Sequence, residues 1–76
     1  MGSQHIEAKH TLQDMPKAEF EEYIEKFLFS EKEKEILIDI YVNRLELWKI
    51  GNKHGYSESG IKRIHSKALK KIIKTL

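Results

Sequence analysis

The sequence predicts an all-α domain of four helices, the last two joined by a tight turn. Three observations carry that expectation. From residue 16 onward, apolar residues recur at spacings of three and four, the period of a helix face. Ser30 and Ser57 precede two of these runs as start signals, and Gly55 follows another as a stop signal. No stretch alternates as a strand would, and there are neither repeats nor low-complexity segments.

The chain has 76 residues and no cysteine. That is close to the size at which a single core is only just sufficient, with no disulfide or thiolate–zinc site to help. No run of about 18 apolar residues and no signal-peptide core is present, so the expectation is a soluble, cytoplasmic protein.

Residues 1–15 lack periodicity and are expected to form a flexible tail. His5 and His10 within it have no further ligands in register, so no metal site is expected. Residues 16–29 should form an additional amphipathic helix. Pro16 suits its first turn and Asp14 stands upstream as a cap, while Phe20, Tyr23, Ile24, Phe27 and Leu28 share one face. Ser30-Glu31-Lys32-Glu33 is a capping box that opens a fresh helix over 31–43. Ile36, Leu37, Ile40 and Tyr41 are its expected buried face, broadened by Ile38 and Val42. Asn43-Arg44 breaks the pattern, and a short helix follows to His54 with Leu47 and Ile50 inward. Ser57 is a good cap for the last helix, roughly 58–75. Its inward stripe is Ile61, Ile64, Ala68 and Ile72, thickened by Leu69, Ile73 and Leu76.

Charge is segregated beneath a net of +2. Residues 1–43 hold five lysines and ten acids, a net of −5, whereas residues 44–76 hold nine Lys and Arg and two acids, a net of +7. A basic C-terminal half is suited to a polyanion, although lysine-rich helix faces also serve solubility.

Two short helices around a tight turn, the second one basic, have the layout of a helix-turn-helix. Gly51 supplies the small residue that close crossing demands, and Gly55 the residue tolerant of positive φ. Tyr56 is expected to close the turn. His54 stands where an apolar residue is usual and is read as a half-buried packing residue. Rotation away from the inward stripe leaves Glu58, Ser59, Lys62, Arg63 and Ser66 facing outward at the end that enters a major groove. Lys62 and Arg63 can donate to guanine edges or phosphates, and Glu58 and Ser59 can address base edges. Backbone contact is assigned to Arg44, Ser57, Ser66, Lys67, Lys70 and Lys71, which add affinity without reading sequence. Gly60, in the first turn, suggests close approach of DNA or of a neighbouring helix.

The segments SEKEKEILIDIY, LWKIGNKHGY and SESGIKRIHSKALKKI together resemble region 4 of bacterial sigma factors, over roughly residues 30–76. In IKRIHSKALKKI the apolar, basic and alanine positions fall in register with primary sigma factors. A LuxR-type domain fits less well, because its characteristic histidine would fall at Ile64 rather than His65. The resemblance implies a domain that reads the −35 promoter element, with Glu58, Ser59, Lys62 and Arg63 toward bases and Lys67 toward the backbone. It also implies contact with the flap of RNA polymerase. Primary members usually carry a basic residue where Glu58 stands and an acidic one where Ser59 stands, so base preference should differ. Gly60 replaces a larger residue, and the link around Asn43-Arg44-Leu45 is shorter. A chain of this length is not expected to include a −10-reading region.

The expected function is therefore that of a small sequence-specific double-stranded DNA-binding transcription regulator. The alternative is a protein–protein module that mimics region 4 and binds RNA polymerase or another regulator. The helix at 16–29 would pack on the domain or mediate a homodimer. No cofactor is implied, and no His–carboxylate or metal-ligand arrangement supports an enzyme.

Overall fold

The computed structural model describes residues 9–75, so the expectations for His5 and Leu76 lie outside it. Helical residues 9–13 (α1) are followed by α2 (Lys17–Ile24), α3 (Glu31–Tyr41), α4 (Leu47–His54) and α5 (Glu58–Ile73). The described residues are all-helical, as the periodicity predicts, with one helical segment more than the four expected.

That extra segment corrects the tail expectation for residues 9–15. Leu12 is fully buried in the main core with Phe20, Leu37 and Ile72. The N–H of Asp14 closes α1 on the His10 carbonyl at 3.2 Å, and Met15 bonds to Leu12 at 3.4 Å. Among residues 9–13 a single leucine leaves no periodic signal, and its burial in the core favours the helical segment.

Pro16 is the cap residue of α2, with φ −61° and ψ 159° and no side-chain capping bond, so Asp14 does not cap it. The helix is also shorter than 16–29. The N–H groups of Lys26 and Phe27 reach back only three residues, to Tyr23 and Ile24, both at 3.2 Å. That tightening ends the α-helical register. Leu28, expected on the inward face, is instead 93% exposed, and Phe29 enters the core in its place. Phe27 packs between Tyr23 and Phe29, with ring centroids 5.2 and 5.4 Å away.

The capping box forms as the sequence predicts. Glu33 N–H donates to Ser30 Oγ at 3.2 Å, and Ser30 N–H donates to Glu33 Oε1 at 2.8 Å. Two faces of α3 are covered. Leu37 and Tyr41 join the main core, while Ile36 packs with Ile50 and Ile61 in a second, smaller cluster. Ile38, Ile40 and Val42 are half-buried around them. The helix ends where Val42 and Asn43 both donate to the Ile38 carbonyl, at 2.9 and 3.0 Å, and Arg44 takes φ 52°.

The long α5 spans both clusters: Ile61 belongs to the small one, and Ala68, Leu69 and Ile72 to the main one. It thereby fixes α4 relative to the rest of the domain. No helix among the described residues is long and apolar enough to cross a membrane.

Candidate nucleic-acid interface

Backbone chemistry determines how α4 meets α5. Gly55 adopts the left-handed conformation at φ 79°, and Tyr56 N–H donates to the Gly51 carbonyl at 2.8 Å, the six-to-one bond of a Schellman turn. The turn folds back so closely that a Cβ on Gly51 would lie 2.5 Å from the Tyr56 carbonyl oxygen. Gly51 is thus required by the turn's own backbone rather than by the crossing of two helix axes. Ser57 then caps α5, accepting from Gly60 N–H at 3.1 Å. Tyr56 does not close the turn from inside. It is 41% exposed and lies over Gly60.

Ile50 and Ile61, both fully buried, join the two helices against Ile36. With that phase set, the structure brings Glu58, Ser59, Lys62, Arg63, Ser66, Lys67 and Lys70 to the solvent side of α5, all exposed. Among the described residues, Lys62, Arg63, Lys67 and Lys70 have no ion-pair partner. Four unpaired cations on one side of one rigid helix form an electropositive face available to phosphate. Glu58 sits in the first turn, where a carboxylate suits the helix dipole.

Two expected backbone-contacting residues stand apart. The Lys71 ammonium donates to the Leu28 carbonyl at 2.8 Å and lies 5.1 Å from the Phe29 ring centroid. This contact fastens α5 to the α2–α3 connection and turns Lys71 off the cationic face. Arg44 is exposed, but its left-handed backbone first serves to end α3.

A supporting network escaped the sequence reading. Asp39 is only 2% exposed, in the middle of α3. Its Oδ2 meets His54 Nε2 at 2.8 Å, and its Oδ1 accepts from Asn43 Nδ2 at 2.8 Å and Lys53 Nζ at 3.1 Å. Burial by itself raises the Asp39 carboxyl, but the bonds from His54, Asn43 and Lys53 outweigh it and hold the group below its ordinary value. His54 is accordingly more than a packing residue: its nearly buried side chain ties the end of α4 to α3. The signal available was an aspartate interrupting the apolar run ILIDIY, four residues before Asn43. Nearby, Tyr41 Oη bonds to His65 Nε2 across α3 and α5. Burial pushes the Tyr41 phenol up to about 12.

The helix-turn-helix and its exposed basic helix fit one family in particular. The family description "Sigma-70, region 4" matches residues 29–74, which takes in α3, α4, α5 and both connections. The chain belongs to the sigma-70 region 4 family. This is a family of DNA-binding helix-turn-helix domains rather than of enzymes, and its members bind DNA and RNA polymerase. No curated protein and no solved structure matches the chain. Helices α1 and α2 lie outside the matched residues.

Proposed function

We propose that this region 4 domain acts as a sequence-specific regulator of transcription that inserts α5 into the major groove of double-stranded DNA. Glu58, Ser59, Lys62 and Arg63 face base edges, and Ser57, Ser66, Lys67 and Lys70 face the flanking phosphates. The observation that carries this reading is the row of unpaired cations on an α5 whose orientation is locked by Gly51, Gly55 and the Ile50–Ile61 contact. Arg44 joins the phosphate contacts from the α3–α4 link. Lys49, beside the half-exposed Trp48 at the start of α4, is a further candidate, because the first helix of such a motif crosses the backbone.

Selection of bound duplexes from a random pool, followed by anisotropy titrations across salt concentrations, tests the reading. The expected result is an enriched motif whose affinity falls steeply with salt, with a log–log slope reflecting roughly four or five phosphates. The apolar stripe of α2 is spent on the chain's own core through Phe20 and Ile24, so a homodimer would have to use its polar side. A non-palindromic motif and a monomeric elution mass are therefore expected.

The exposed Glu58, a carboxylate at the end of the helix nearest the bases, favours a second reading. In that reading the domain works chiefly by docking on RNA polymerase, with weak DNA contact. Absence of DNA binding at low salt, together with capture of the purified polymerase, would replace the first reading by the second.

A further inference from the structure

Away from α5, the packing of α2 on α3 leaves a groove of about 470 Å³. Ala18 and Ile38 form its accessible apolar floor, with the core residue Ile24 beneath them, and Glu21, Glu22 and Glu35 are among the carboxylates on its walls. The one cation in the lining, Lys34, is already held by Glu25 at 2.9 Å and Glu31 at 3.6 Å. Glu21 and Glu22 have no cationic partner among the described residues, and Glu35 meets only the His54 ring, at 4.0 Å. Leu28, 93% exposed, stands in the connection that joins the two walls.

An apolar floor between unpaired carboxylates repels nucleic acid and fits one kind of occupant well. A helix with an apolar ridge flanked by lysines or arginines would bury its ridge on Ile38 and Ala18 and pair its cations with Glu21, Glu22 and Glu35. The exposed side of this chain's own α5 supplies cations but no ridge, since Ser59, Lys62, Arg63, Ser66 and Lys70 are all polar. A second copy therefore fits less well.

We propose that the α2–α3 groove is a docking site for a basic amphipathic helix of a protein partner, distinct from the DNA-facing side of α5. The two surfaces are opposite in charge and lie on different helices, so the domain can hold DNA and a protein together. This proposal does not depend on the DNA-binding reading.

The test uses the ¹⁵N-labelled full chain and a synthetic helix with leucines at i, i+3, i+4 and i+7 and lysines elsewhere. A peptide carrying glutamates in place of the lysines serves as control. Saturable amide shifts are expected in α2 and in the first half of α3, with the lysine peptide only. Glu22→Lys, a surface change, should weaken that binding about fivefold while the spectrum stays dispersed. Three outcomes would overturn the proposal: shifts centred on α5, equal responses to the two peptides, or no saturation with the lysine peptide. Concentration-dependent dimerisation of the chain alone that Glu22→Lys abolishes would also overturn it, assigning the groove to a second copy.

Discussion

Arg63 and Lys70 stand about two turns apart on the outer side of α5, both exposed and both unpaired, yet their losses should differ in kind. In the proposed docking Arg63 lies toward the end that approaches base edges, so Arg63→Ala should cost on the order of 1–3 kcal/mol for the selected site and relax preference at one base position. Lys70→Ala should weaken every duplex alike and lower the salt slope by about one. Anisotropy on specific and scrambled duplexes separates the two, and the docking face is wrong if neither variant changes binding. The glycines divide just as clearly. A methyl on Gly51 meets backbone, the Tyr56 carbonyl oxygen at 2.5 Å, which cannot swing aside as a side chain could. Gly51→Ala should therefore destabilise by about 2 kcal/mol in urea unfolding. At Gly60 the nearest atom is Ser57 Oγ at 3.4 Å, an ordinary contact, so no neighbouring helix requires a glycine there. Gly60→Ala should stabilise the domain by about 0.5 kcal/mol. If DNA does come close at that position, the same variant loses affinity while gaining stability.

Between elements, the Asp39 network joins α3 to α4 and so supports the angle at which the turn presents α5. Its carboxyl is held below the ordinary value of 3.8 by bonds from His54, Asn43 and Lys53, despite burial. A carboxyl depressed in the folded state contributes stability above its unfolded value and loses it as pH falls through the folded one. Wild-type stability should thus decline on acidification below about pH 4, and Asp39→Asn should flatten that limb. At neutral pH the same variant should cost about 3 kcal/mol, because the buried carboxylate that bonds the His54 ring, Asn43 and Lys53 is lost. Denaturant midpoints across pH measure both effects, and parallel acid limbs for the two proteins would dismiss the role. The elements themselves differed in how far the sequence disclosed them. Helices α3, α4 and α5 were legible because Ser30, Ser57 and Gly55 punctuate periodic runs, and the inward stripe of α5 fixed its outward residues by rotation alone. The early end of α2 was not legible. Tyr23, Phe27 and Leu28 fit a continuing helix, and only the burial of Phe29 decides against it. The Lys71 contact and the Asp39 network were not legible for a related reason: their partners, Leu28 and His54, are 43 and 15 residues away in sequence.

At the scale of the molecule, a domain this small has little stability to spare, roughly 4–11 kcal/mol by its length. Its main core draws on every described helix except α4, and among the described residues its first contribution is Leu12, from a segment whose sequence carries no helical signature. Leu12 is fully buried, with Phe20, Leu37 and Ile72 in the same cluster. Leu12→Ala should leave a cavity and cost about 2–5 kcal/mol, lowering the melting temperature by more than about 10 °C. The small cluster of Ile36, Ile50 and Ile61, which orients the α4–α5 turn, does not include Leu12. At a temperature where the variant is still folded, its DNA affinity should therefore match that of the wild type within about twofold, a difference of only about 0.4 kcal/mol. Thermal unfolding followed by circular dichroism, with anisotropy at low temperature, reads both quantities. A change in stability below about 0.5 kcal/mol, the level of an ordinary surface substitution, would mean that α1 does not dock in solution and that the core begins beyond Pro16.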